Sequence, residues 1–371
     1  MENQISKNKR KQNGIRQNTI KQAVLLGNPG TKRTDYFRQA AKQEKLPVFF
    51  TDWKEFDKWV LQEDPLVQNV PFAEESLIKI DPPLWESSSL NDLSRLSLDY
   101  IKNLERLAAL ADAHSYKFLN HPFAIMQLLD KQVCKRTLSE AGLAVTEMLP
   151  SVKSAEELME KSSTHRVFIK PLRGSGAAGV TAFRWQPSTR HMALYTCVAN
   201  HPKFGLVNTK QLRRFSRQKE VLSLLDQILE LDCMVERWYA KAEYQGYAYD
   251  LRVVVLEDKV VYIVARLSKG PITNLQLNNH PLALSELHLS ADTLKSIEDL
   301  CIQAMGCFPG LRCAGIDVLL EKETRTPRII EMNAQGDLLY QDIYQENIIY
   351  RSQAKWIKNR MEGNEGYGHE Y

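Results

Sequence analysis

Asp317, Glu331 and Asn333 have the residue types and spacing that most directly imply chemistry. They stand in two short apolar runs, Ala-Gly-Ile-Asp-Val-Leu-Leu over 314–320 and Ile-Ile-Glu-Met-Asn over 329–333. Side chains alternate along a strand, so Glu331 and Asn333 point the same way. Folded as a hairpin centred on Thr324, the runs set Asp317 opposite Glu331. Like charges placed there repel, so the pair calls for a cation. Carboxylate and amide oxygens suit Mg2+, with Mn2+ as a second choice. The competing reading is an exposed polar face on a hairpin whose other face, with Ile316, Val318 and Leu320, is buried.

A second set could hold phosphate. The run Gly174-Ser175-Gly176-Ala-Ala-Gly179 follows Lys170-Pro171 and matches G-x-G-x-x-G. The dinucleotide fingerprint needs a helix next, whereas Val180–Trp185 reads as a strand. In protein kinases the lysine follows the glycine loop; here Lys170 precedes it, and no His-Arg-Asp segment exists. What remains is strand, lysine, glycine loop, strand. Glycines let backbone N–H groups approach phosphate oxygens, and Lys170 adds a mobile positive charge. An ordinary hairpin tip is the alternative. Gly27-Asn-Pro-Gly-Thr-Lys32 has the wrong spacing for a P-loop and reads as a strand-to-helix turn. The eight histidines show no catalytic spacing. The six cysteines lack any Cys-x-x-Cys pair and read as free thiols in a reducing cytoplasm.

The elements that must carry these groups are legible in outline. Ala23–Gly27, a helix over 34–44 and Pro47–Phe50 form a β-α-β start, which predicts a parallel sheet. Helices are expected over 54–62 and 91–112, with a strand at Leu77–Ile80 between them. Asn120-His121-Pro122 opens another helix. Asp130-Lys131 begins the next, which stops at Gly142. A strand at 167–171, a helix over 216–230 and a strand at 233–238 follow. Leu251–Leu256 and Val260–Arg266 read as a hairpin, and a helix over 291–305 leads into the acidic one. The stretch 186–215 matches no motif and is expected to cap the site or recruit a partner.

Taken in order, Asp130-Lys131, Ile169-Lys170-Pro171 with its glycine loop, Val235-Glu236-Arg237-Trp238, Asp250-Leu-Arg252 and the 315–333 hairpin resemble the ATP-grasp superfamily of carboxylate–amine ligases. The resemblance runs over about residues 22–355 and looks closest to a bacterial branch. It implies an α/β fold of α+β subdomains behind an N-terminal Rossmann-like parallel-sheet domain. The boundaries it implies are 22–120, 121–232 (lid) and 233–360, between polar tails at 1–21 and 361–371. It implies that Lys131 and Lys170 touch ATP phosphates and that the loop with Gly174, Ser175, Gly176 and Gly179 closes over them. Glu236, Arg237 and Trp238 would grip adenine largely by backbone, and Glu243 would meet the ribose. Asp317, Glu331 and Asn333 would hold Mg2+. Arg252, Arg266 and Asn274 would contact the transferred phosphoryl group. Asp250 and Arg266 could instead form a structural ion pair across their hairpin. The run 266–280 departs from the pattern, with Asn278-Asn279 where relatives often carry a double glycine.

The implied activity is ATP- and Mg2+-dependent activation of a carboxylate as acyl phosphate for attack by an amine. The alternatives are a non-catalytic ATP-binding regulatory module and a kinase on the same fold. The carboxylate and amine substrates stay unnamed, with a peptide or protein among the candidates; an oligomer is open. Bulk composition excludes little else. With 371 residues, 43% of them hydrophobic, the chain can bury two or three domains. Net charge is only +4, so nucleic acid is not the expected partner. The basic stretch 1–21 has no apolar core of the kind a signal peptide needs, and no run is long enough for a membrane span.

Overall fold

The computed structural model describes residues 20–60, 72–173 and 177–363. Gly174, Ser175 and Gly176 lie outside them, as do most of the basic tail and residues 364–371.

The β-α-β start is present: β1 (Gln22–Gly27), α1 (Lys32–Gln43) and β2 (Val48–Asp52). α2 (Trp53–Val60), β3 (Ser76–Ile80), α3 (Leu90–His114) and β4 (Lys117–Phe118) complete an all-parallel sheet of order β2-β1-β3-β4. β1 and β3 are almost wholly buried, and of the polar residues in β3, Lys79 is paired with Asp81.

α4 (Pro122–Leu129) and α5 (Lys131–Glu140) link this domain to the next. The Asp130 carboxylate starts α5 by accepting from the N–H groups of Gln132 and Val133, both at 3.0 Å. α6 (Ala155–Lys161), β5 (Arg166–Pro171), β6 (Thr181–Gln186), β7 (His191–His201), β8 (Gly205–Phe215), α7 (Gln218–Glu230) and β9 (Cys233–Arg237) follow. They build an antiparallel sheet, β8-β7-β6-β5-β9. The stretch 186–215, which matches no motif, forms the long β7–β8 hairpin. β9, expected to open the C-terminal subdomain at 233, hydrogen-bonds β5 in this antiparallel sheet.

The last sheet holds β10 (Glu243–Tyr244), β11 (Tyr247–Leu256), β12 (Lys259–Ser268), β13 (His280–Ala283), β14 (Cys313–Leu320) and β15 (Pro327–Asn333). It has the order β13-β12-β11-β14-β15, with β10 on β11. α8 (Ala291–Gly306) lies against one face, burying Ile316, Val318 and Leu320 with Ile297, Cys301 and Ala304. α9 (Tyr340–Ile343) and α10 (Ile348–Met361) return to the N-terminal domain, where Tyr350 and Ile357 pack with Phe37 and Ala40 of α1. Under this packing lies a junction of charges. Arg33 and Lys79 both meet Asp337, Lys79 also bonds Asp81, and Gln353 donates to Asp337 at 3.0 Å. All six cysteines are free thiols. Among the described residues no helix is long and apolar enough to cross a membrane.

Candidate active site

A cavity of about 540 Å³ is lined by the second and third sheets and by Arg33, Pro82 and Trp85 of the N-terminal domain. Its wall includes seven lysine and arginine side chains against four carboxylates, a surplus that suits a polyanion.

The floor is one face of the C-terminal sheet, where strand register lines up two rows of charge. In one row Arg252, Asp317 and Glu331 sit side by side on β11, β14 and β15. In the next, Arg266 of β12 faces Asp250 of β11. Arg252 donates to Asp317 at 2.5 Å, and Arg266 bridges Asp250 at 2.7 Å and Asp317 at 3.0 Å. The cross-hairpin pair of Asp250 and Arg266 therefore exists, inside the cavity wall. Lys241 closes the chain with bonds to Asp250 at 3.0 Å and Thr273 at 2.7 Å. Burial opposes the charge on Asp250, but Arg266 and Lys241 outweigh it and hold the carboxyl well below its usual range. Burial lowers Lys241 more than Asp250 raises it.

Two glycines make room for Arg252. A Cβ on Gly315 would stand 2.4 Å from the Gly336 carbonyl oxygen and 2.8 Å from the guanidinium; one on Gly336 would meet the same nitrogen at 2.8 Å. The guanidinium threads between them and donates to the Gly336 carbonyl at 3.1 Å. A lone glycine inside a strand signals close backbone approach, and Gly315 in β14 carries that signal.

The two lysines expected at phosphate, Lys131 and Lys170, converge on the far edge. The Lys131 ammonium lies 3.9 Å from the Glu331 carboxylate. Lys170 is buried and bonds Glu236 at 2.7 Å; Lys135, absent from the expected set, reaches the same carboxylate at 3.0 Å. Burial works against the Glu236 charge, yet the two lysines hold its carboxyl low. Lys170 stays raised against burial through Glu236 and Glu331, while burial wins at Lys135 and lowers it.

The other expected residues divide. Asn333 and Asn274 line the cavity. Asn274 caps a short 3-10 turn at Leu275–Leu277, where the Asn278-Asn279 departure finds its reason. Asn278 adopts φ +60°, a conformation that Asn tolerates. The Asn279 amide ties the loop to the carbonyls of Ile272 and Asn274 at 2.8 and 2.9 Å. Arg237 lines the cavity and bonds Glu147 at 2.6 Å. The expected backbone grip on adenine loses two donors: the N–H groups of Arg237 and Trp238 already serve the carbonyls of Glu147 and Arg166 at 2.9 and 3.0 Å. Glu236, Arg237, Tyr239 and Lys241 all line the cavity. The Trp238 ring packs between Phe168 and Tyr195. Gly179 takes φ +75° beside Pro171, which closes the described end of the glycine loop. Glu243 is exposed, pairs with Lys322 at 2.8 Å and does not line the cavity.

For a metal, the donor set is two carboxylates and an amide; among the described residues no group of three His, Cys, Asp or Glu side chains assembles. That set suits Mg2+, which takes one or two carboxylates and fills its sphere with water and phosphate oxygens. Both Asp317 oxygens already accept from arginines, but a carboxylate has about four lone-pair sites, so acceptor capacity remains.

No protein-family model matches the chain, and no curated protein matches it by sequence. Solved structures do. The ATP-grasp ligase PsnB, in complex with a minimal precursor, is 15% identical; the match covers 92% of this chain and 99% of that one at TM-score 0.58. The macrocyclase MdnC from Microcystis aeruginosa MRC, bound to precursor peptide MdnA, is 13% identical over 92% and 100% at TM-score 0.57. The D-alanine–D-alanine ligase from Bacillus anthracis, complexed with ATP, is 10% identical over 93% and 99% at TM-score 0.52. The chain has the ATP-grasp fold.

Proposed function

We propose that this chain is an ATP- and Mg2+-dependent ligase that activates a carboxylate as an acyl phosphate and passes the acyl group to an amine or similar nucleophile. The observation that carries this reading is the row Arg252–Asp317–Glu331 beside Lys131 and Lys170 in one cavity. Phosphoryl transfer needs positioning and charge neutralisation more than covalent help, and that row provides both. Lys131 and Lys170 balance phosphate charge. Arg252 and Arg266, fixed by Asp317 and Asp250, aim N–H groups at oxygens of the transferred phosphoryl group. Asp317, Glu331 and Asn333 hold Mg2+, which when bound neutralises phosphate oxygens. A substrate carboxylate oxygen attacks the γ-phosphorus and ADP leaves. The amine nitrogen then attacks the acyl carbon, loses a proton, and phosphate leaves.

A peptide or protein is the proposed carboxylate donor, because PsnB and MdnC are described with precursor peptides. The cytoplasm is the proposed location, where ATP is supplied and free thiols stay reduced.

The test is ADP release by the full chain with Mg·ATP and pools of Asp- and Glu-containing peptides. Release that depends on a peptide supports the ligase. Asp317→Ala and Glu331→Ala should each cut it by about 10²–10³-fold; full activity in both would overturn the metal assignment.

A further inference from the structure

The register that sets Glu331 opposite Asp317 depends on one extra residue. Near the turn, Leu320 pairs with Pro327 and Val318 with Ile329; one step further Asp317 pairs with Glu331, skipping Ile330. Without that bulge the strand would slip by one, and Glu331 would leave the row. A bulged residue loses its ladder partners. At the bulged Ile330 a donor comes from Lys135, whose ammonium donates to the Ile330 carbonyl at 2.7 Å and, beside the Thr146 N–H at 3.0 Å, to the Ile329 carbonyl at 3.3 Å. Thr146 at 2.7 Å and Glu236 at 3.0 Å fix it from the other side. Lys135 is 3% exposed and does not line the main cavity. It stands one helical turn after Lys131 on α5, so a single helix face serves both sides of one strand segment. Lys131 meets the Glu331 side chain, and Lys135 holds the backbone just before it.

We propose that Lys135 is a positioning residue: by bonding the carbonyls of the Ile330 bulge it sets the Glu331 carboxylate opposite Asp317 for metal. The geometric half stands on the strand register; the metal half rests on the proposed Mg·ATP reading.

The experiment compares wild type with Lys135→Met, and with Lys135→Gln, which keeps a donor but not the charge. Two quantities are read at matched fractions folded. The first is amide hydrogen exchange over 329–333. The second is the ratio of affinities for a non-hydrolysable ATP analogue with and without Mg2+. Lys135→Met should speed exchange in that strand and shrink the Mg2+ ratio by about 10- to 100-fold, as losing a ligand-orienting group does. Its metal-free affinity should stay within about threefold, and Lys135→Gln should recover part of the ratio. A Lys135→Met protein with wild-type exchange and ratio overturns the proposal. So does an equal loss of affinity with and without metal, the mark of a structural role. If Lys135→Met does not fold, a lowered ratio with faster 329–333 exchange in Lys135→Gln supports the bulge contact, and wild-type ratio and exchange in Lys135→Gln overturn it. A wild type without Mg2+ dependence sinks the Mg·ATP reading alone, because the exchange result still decides the bulge contact.

Discussion

A chain of alternating charge on the cavity floor can be set against another at the domain junction. The floor links Lys241, Asp250, Arg266, Asp317 and Arg252. The junction links Arg33, Asp337, Lys79 and Asp81. Residue types and burial are similar. The surroundings differ. The floor row continues to Glu331, with 25% of its side chain exposed, on the wall of a cavity of about 540 Å³. The junction is covered by Phe37 and Tyr350, whose rings lie 5.0 and 5.4 Å from the Lys79 ammonium, and only Arg33 reaches the cavity wall. Paired charges sealed by aromatic rings hold domains in register. The same pairs beside an open cavity can meet a ligand.

This contrast can be broken by mutation. Asp337→Ala leaves Arg33 without its carboxylate and should destabilise the fold by roughly 3–5 kcal/mol in urea unfolding. The KM for ATP of the folded fraction should hardly change. Glu331→Ala should do the reverse, cutting ADP release by about 10²–10³-fold with little shift in the unfolding midpoint. Exchanged phenotypes would erase the distinction between the two chains.

A pH series sharpens the comparison further. Burial opposes the Asp337 charge, but Arg33 and Lys79 outweigh it and hold the carboxyl below its usual range, as Arg266 and Lys241 do for Asp250. Folded values below unfolded ones give stability that is present above about pH 4 and lost as pH falls through the folded values. Thermal unfolding should show this acid limb, and Asp337→Asn should flatten it. The smallest effect is expected at the exposed Glu243–Lys322 pair. Glu243→Ala should cost under about 1 kcal/mol and leave the KM for ATP nearly unchanged; a large rise would restore the expected ribose contact.

Much of the fold was legible because strands and helices here carry clean periods. The β-α-β start, the helices flanking Asp130 and both C-terminal hairpins emerge from apolar spacing alone. The β7–β8 hairpin did not. β8 is an edge strand, half exposed and polar on both faces, and a register shift between Thr196 and Val198 breaks the alternation. The acidic pair shows a subtler limit. Counting outward from Thr324 matches Asp317 with Glu331, but the turn itself is one residue off that count. The Ile330 bulge restores the match. No local pattern announces that bulge, because its partners, Lys135 on the Ile330 carbonyl and the Ala144 and Thr146 backbone on Ile329, lie almost 200 residues upstream. Lys241 and Gly336 escaped for the same reason: each acts through partners that only the fold assembles.

The central claim is that the cavity floor transfers phosphoryl groups to a carboxylate. The most direct measurement is hydroxylamine trapping during ADP release by wild type with Mg·ATP and an acidic peptide. The account predicts a peptide hydroxamate formed in step with ADP and absent in Asp317→Ala. ADP release that leaves a hydroxylamine-resistant phosphopeptide, or tight Mg·ATP binding with no ADP across the peptide pools, would contradict it.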